Sequence, residues 1–264
     1  MNLEISGKRA VVTGSTAGIG LAIAQSLAAE GAAVIINGRS QRRVDQAIAE
    51  IRKLYPAATL EGVAADLSTV EGIAAFTQAV PATDILVNNV GIFEPKPFFD
   101  ISDQDWARFF EVNVMSGVRL SRFYMPGMLK RNWGRIVFIS SESAVNIPVE
   151  MIHYGMTKTA QIAVARGLAE MTRGTGVTVN SVLPGPTRSE GVETFVEQMA
   201  QSQKISPGEM EKQFFATARP SSLIQRFAST AEVANMVAYV CSGLASATNG
   251  AALRVEGGVV RSIL

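Results

Sequence analysis

Short apolar runs alternate with segments of helical period through the first two thirds of the chain. Arg9 to Thr13, Ala33 to Asn37, Leu60 to Ala65, Asp84 to Val87, the run around Ile136 and Val177 to Val182 read as strands. Most are continuously apolar, as strands covered on both faces must be. Between them, Leu21 to Glu30 (closed by Gly31), Gln41 to Leu54 and Ile73 to Ala79 read as helices. Strand and helix in alternation predict an α/β domain with a right-handed parallel sheet and helices on both faces.

From Ser189 to about Phe227 that rhythm stops. Val192 to Met199 and Pro207 to Phe215 read as two helices with apolar stripes. A long excursion after a strand's carboxyl end is where a substrate lid sits. Val192, Phe195, Val196 and Met199 are then expected to line an apolar pocket, with Phe93, Ile147 and Val149 from the body. Thr230 to Val240 reads as a helix capped by Thr230 with Glu232 following.

Candidate chemistry clusters where strands end. Gly14, Ser15, Thr16, Gly18, Ile19 and Gly20 lie between the first strand and the first helix. Glycines there let the backbone approach a pyrophosphate, which the helix N-terminal amides and dipole stabilise. The second strand ends in Gly38-Arg39, with no carboxylate to receive ribose hydroxyls. A guanidinium at that place can pair with a 2′-phosphate, so NADP(H) is favoured over NAD(H). Asp66 with Leu67, and Asn88 with Gly91, fall at the next two strand ends.

Tyr154 and Lys158 stand four apart at a helix start, which places phenol and ammonium on one face. An ammonium beside a phenol favours the phenolate and is expected to lower its pKa from roughly 10. Such a tyrosine can exchange a proton with a carbonyl or carbinol oxygen. Ser141 ends the strand before it and can donate to the same oxygen.

Composition narrows the remainder. The chain has 264 residues, 47% hydrophobic and 18% charged, enough for a large core. A net charge of +1 without long basic runs argues against nucleic acid as a partner. One cysteine, Cys241, and one histidine, His153, cannot assemble a metal cluster, so no metal is expected. A lone cysteine fits a reducing, cytoplasmic setting. No apolar leader and no run of roughly 18 apolar residues is found, so no membrane span is expected. Lys96, Arg188, Lys204 and Arg219 could favour an anionic substrate at the pocket mouth, but they are scattered, and a solvated role is the better reading. His153 is expected to pack or to lie at the surface.

Taken together, Thr13-Gly14-x-x-x-Gly18-Ile19-Gly20, Asp66, Asn88-Asn89-x-Gly91, Asn113, Ser141, Tyr154-x-x-x-Lys158 and Pro184-Gly185 resemble the short-chain dehydrogenase/reductase family in order and spacing. The resemblance implies one Rossmann-type domain over residues 1–264, a doubly wound parallel sheet of seven strands, with residues 189–227 as a helical lid. It implies Ser141, rather than Ser140, as the residue holding the substrate oxygen, and Tyr154 as general acid or base. Lys158 would lower the Tyr154 pKa and bind the nicotinamide ribose, and Asn113 would hold a water joining Lys158 to solvent. Asp66 is expected near the adenine, Asn88 and Gly91 along the adenosine, and Thr187 beyond Pro184-Gly185 at the carboxamide, with Ser189 as second candidate. Val90 departs from the family's usual alanine. Implied too are a small-molecule carbonyl or alcohol substrate, with a 3-oxoacyl thioester among the candidates, and a homo-oligomer, dimer or tetramer. Alternatives are an NAD-dependent alcohol dehydrogenase of the family and a non-catalytic dinucleotide-binding sensor or scaffold.

Overall fold

A computed structural model describes residues 2–263, apart from the side chain of Phe195. The expected strands form, in chain order, β1 (Arg9–Val12), β2 (Ala33–Gly38), β3 (Leu60–Ala64), β4 (Ile85–Asn88), β5 (Gly134–Ile139) and β6 (Val177–Pro184). Two short strands follow, β7 (Thr187–Arg188) and β8 (Ala228–Ser229), then β9 (Ala252–Val255). Seven of them make one parallel sheet in the order β3-β2-β1-β4-β5-β6-β9. The order reverses between β1 and β4, and a crevice opens there at the carboxyl ends, where open α/β sheets bind ligands.

Helices cover both faces, which is why the central strands read as apolar throughout. Helices α1 (Gly18–Ala29), α2 (Gln41–Leu54) and α9 (Thr230–Val240) bury Ile23, Leu27, Val44, Ile51 and Val237 on one face, against Ala10, Val12, Val34 and Ile36. Helices α3 (Val70–Ala79), α5 (Ser116–Arg131) and α6 (Ile152–Glu170) bury Phe76, Leu120, Met128 and Ala165 on the other, against Val11 and Ile35. Successive strand residues alternate between the two cores, as the pleat demands.

Helix α4 (Asp103–Phe110) runs into α5 through a π-helical turn, Glu111–Met115, that contains Asn113. Such turns mark functional sites more often than ordinary helix does. At the start of α9 the capping box is built by Ser229, one residue before the expected Thr230: its hydroxyl accepts from the Glu232 amide, and Glu232 reaches back to the Ser229 amide.

The lid is α7 (Glu190–Gln203) and α8 (Pro207–Thr217), and it carries its own small core of Val196, Ala200, Met210, Phe215 and Phe227. The pairing of β7 with β8 ties its two ends together.

Candidate active site

Asn37 organises the glycine turn. Its side-chain oxygen accepts from the Gly14 amide at 3.1 Å, and its amide nitrogen donates to the carbonyls of Val63 and Ala65. Asn89 braces the turn from β4, donating to the carbonyls of Thr13 and Gly14 at 2.9 and 3.1 Å. Gly14 and Gly18 take φ of +60° and +57°, where side chains are strained. A Cβ on Gly20 would come within 2.4 Å of the Gly14 carbonyl oxygen. Ala17 precedes α1 without a side-chain cap, so the first-turn amides, including that of Ile19, are left for a ligand. These features fit a dinucleotide's phosphates.

Three expected cofactor contacts are turned elsewhere. The Ser15 hydroxyl donates to the Val12 carbonyl and accepts from the Asn37 amide, while the Ser15 amide donates to the Asn37 carbonyl. Asn88 is buried and donates to Ser121 on α5. Leu67 is a core residue. All three lie at or just beyond strand ends, with their side chains turned inward. Thr16 packs close to Gly38, where any Cβ would meet it at 2.5 Å. Arg39 is exposed and makes no ion pair among the described residues. Its charge lies near enough to help hold the Asp66 carboxyl below its ordinary pKa, although the Ser68 hydroxyl is the larger cause.

Ser141, Tyr154 and Lys158 meet in one cavity of about 510 Å³ above the carboxyl ends of β4, β5 and β6. Ile19, Gly91, Pro184, Gly185 and Thr187 also line it. Ser141 is hydrogen-bonded to the phenol of Tyr154. The neighbouring Ser140 also borders the cavity but donates to the Lys158 carbonyl at 2.8 Å, tying α6 to β5, whereas Ser141 is partnered with Tyr154. The Thr187 hydroxyl donates to the Gly185 carbonyl at 2.9 Å.

The electrostatics depart from the expectation that Lys158 lowers the phenol. Burial pushes Tyr154 up to about 12, against the Ser141 hydrogen bond, which lowers it. Lys158 lies 5.6 Å from the Tyr154 ring centroid and is itself pushed down to about 7 by burial. For each group burial is the largest cause, and it favours the neutral form. Burial thus favours the protonated form of the phenol, which can donate.

Behind Lys158 the polar contacts continue inward. Its ammonium donates to the Ile139 carbonyl at 2.9 Å and to the side-chain oxygen of Gln161 at 3.1 Å. The Gln161 amide then donates to the main-chain carbonyl of Asn113 at 2.6 Å. The Asn113 side chain is occupied with Ile92 and Thr157. A Cβ on Gly91 would approach the Lys158 nitrogen to 3.3 Å, so glycine leaves that face open.

Val192, Val196, Met199 and Phe93 line the cavity as expected, joined by Met151, Met210, Phe214 and Phe227. Ile147 and Val149 do not line it: both are exposed, Val149 by 81%. The Phe195 side chain falls outside the described residues. Of the four cations considered for the mouth, Lys96 pairs with Asp105, Arg188 pairs with Glu211, and Lys204 is exposed. Arg219, far from being solvated, is buried in the cavity wall against Glu142. His153 packs between Trp106 and Phe109, where burial lowers its pKa.

Among known proteins, the family description "short chain dehydrogenase" matches residues 8–200. The uncharacterized oxidoreductase YvaG of Bacillus subtilis is 52% identical over the whole of both chains. The 3-oxoacyl-[acyl-carrier-protein] reductase FabG of Aquifex aeolicus is 35% identical, covering 98% of this chain and all of the relative. The structure of L-sorbose reductase from Gluconobacter frateurii, complexed with NADPH and L-sorbose, matches over the full length of both chains with a TM-score of 0.92 at 32% identity. Fold, glycine turn and full-length likeness agree: the chain belongs to the short-chain dehydrogenase family and is an NAD(P)-dependent oxidoreductase.

Proposed function

We propose that the protein interconverts a ketone and a secondary alcohol, preferring NADP(H), with Tyr154 as the proton donor in reduction. The observation that carries this reading is the convergence of Ser141, Tyr154 and Lys158 in one cavity, with the Ser141 hydroxyl hydrogen-bonded to the Tyr154 phenol. Two hydroxyls converging there can hold one carbonyl oxygen and develop its charge. Bound NADP(H) supplies the hydride chemistry at its nicotinamide. Lys158 holds a ribose hydroxyl and replenishes the proton given up by Tyr154, and Thr187 orients the carboxamide. Gly14, Gly18, Ile19 and Gly20 cradle the phosphates, Arg39 takes the 2′-phosphate, and Asp66 and Gly91 border the adenosine.

The apolar lid suits a substrate with a hydrocarbon body. The likeness to the Aquifex enzyme favours a 3-oxoacyl thioester as second reading. Exposed Phe98, Phe99 and Phe123, beside or on the α4–α5 arm, give a homodimer or tetramer an apolar face to cover. A sensor without chemistry is disfavoured, because Ser141, Tyr154 and Lys158 are all present and gathered.

The test uses NADPH deuterated at the transferable nicotinamide position, with a panel of ketones. One deuterium at the carbinol carbon of the product supports the reading. NADPH that binds but passes deuterium to no ketone argues for the sensor.

A further inference from the structure

We propose that Arg219 is a positioning residue for the reaction: one guanidinium, carried at the end of the lid, fastens both ends of the segment between Ser141 and Tyr154 and balances the carboxylate of Glu142 beside them. The proposal rests on the reading of Ser141 and Tyr154 as the pair that acts on the substrate oxygen.

The segment from Ser141 to Tyr154 joins β5 to α6. Packing holds its middle weakly, since Val145, Ile147 and Val149 are all exposed. Its ends are tied by hydrogen bonds instead. The Thr159 hydroxyl donates to the Ala144 carbonyl at 2.7 Å, and the Lys96 amide donates to the Glu150 carbonyl at 2.9 Å. Arg219 reaches both ends at once. Its Nε donates to Glu142, the residue after Ser141, at 2.9 Å, and its Nη1 pairs with Glu150, just ahead of α6, at 3.5 Å. Nη1 also donates to the Ala218 carbonyl at 2.8 Å, which anchors the guanidinium to the chain leaving α8. The Arg219 and Glu142 side chains are only 10% and 4% exposed. Burying two charges is costly, and apolar residues would fasten a lid as well. A planar fork of donors can serve two carboxylates and a main-chain carbonyl together, where an ammonium offers one point charge.

The same pair bears on the phenol. Among the described residues, the charged groups that line the cavity are Glu142, Glu150, Lys158 and Arg219. Glu142 makes Tyr154 hold its proton more tightly, and Arg219 loosens it. Lys158 approaches the ring from α6, 5.6 Å from its centroid. The loop after β4 and the lid helices bring Phe93, Val192, Met199 and Met210 to the cavity, none of them charged. Removing the Arg219 charge alone leaves Glu142 buried and unopposed, and the phenol rises further. Removing the Glu142 charge alone leaves Arg219 with Glu150, and the phenol falls. Shifts of opposite sign are the mark of a charge balance at Tyr154. A strut for the lid alone would lower stability without driving the two variants apart.

The experiment uses the ketone reduced fastest in the deuterium panel. The pH profile of kcat/KM for oxidation of its alcohol by NADP+ is measured for the wild type, Arg219→Gln, Glu142→Gln and the double variant. Melting temperature and NADPH affinity are read on the same preparations. The limb on which activity rises with pH is expected to move up by roughly half a pH unit or more in Arg219→Gln and down by a similar amount in Glu142→Gln. It returns toward the wild type in the double variant. In Arg219→Gln, kcat for reduction is expected to fall about tenfold, with NADPH affinity within a few-fold of the wild type. Arg219→Lys recovers the limb but only part of kcat. Limbs superimposable on the wild type, or shifts of the same sign in both single variants, would overturn the proposal. Where Arg219→Gln does not fold, the downward shift in Glu142→Gln decides alone. Turnover of no ketone in the panel overturns the ketone-reduction reading and this proposal with it, whereas turnover with unmoved limbs overturns this proposal alone.

Discussion

The side-chain amide of Gln161 donates to the main-chain carbonyl of Asn113 at 2.6 Å, and its oxygen accepts from the Lys158 ammonium at 3.1 Å. Gln161 therefore links the Lys158 ammonium to the main chain at Asn113. Gln161 is 1% exposed, so the bridge is fixed by packing as well as by its two bonds. Gln161→Leu is expected to lower kcat by about tenfold and to move the pH profile of kcat/KM, because Lys158 loses a neighbour that orients it. Gln161→Ala, which leaves room for a water, should recover part of the loss. Steady-state kinetics across pH separates the two, and superimposable profiles for all three proteins would remove Gln161 from the proton path.

Arg39 is exposed, unpaired among the described residues and placed at the end of β2. Arg39→Ala should weaken NADPH binding by roughly tenfold and leave NADH binding nearly unchanged. Fluorescence titration with each dinucleotide checks this. Equal losses for both would mean that Arg39 does not read the 2′-phosphate.

Burial of Lys158 carries a pH signature. The unfolded chain holds this proton up to an ordinary 10.5, while the native protein releases it near 7. Between those values the unfolded state binds more protons, so this contribution to native stability rises with pH. Below about 7 the penalty for the buried charge is present in full. Lys158→Met is expected to relieve a penalty on the order of a few kcal/mol at pH 6. Its melting temperature should vary less than that of the wild type between pH 7 and 10. Parallel melting curves in the absence of cofactor would show that Lys158 is not desolvated in the apoprotein.

Much of the site was legible because its signals are local. Tyr154 and Lys158 share a helix face through their spacing, and the Ser141-to-Tyr154 distance along the chain, read against the family, picked Ser141 over Ser140. The lid showed itself at Ser189, where the strand–helix rhythm breaks. What stayed hidden depends on contacts between distant segments. Glu142 and Arg219 lie 77 residues apart, and nothing in either neighbourhood announces the other. Gln161 sits in an apolar helix where an amide reads as a core exception, although an amide three residues after Lys158 on the same helix face was a usable clue. The side chains of Ser15, Leu67 and Asn88 turn inward, to main-chain and Ser121 partners or into the core, which their places near strand ends did not announce. Spacing reveals the charge near Tyr154 but conceals the depth of its burial, which pushes the phenol up.

The most direct test of the account is Tyr154→Phe, assayed for NADPH binding and for ketone reduction on the same preparation. The removed hydroxyl is the proposed proton donor and is hydrogen-bonded to Ser141 in the cavity. NADPH affinity within a few-fold of wild type, with kcat lowered by roughly a hundredfold or more, is the predicted result. Turnover equal to the wild type would contradict the account, because the proton would then come from another group.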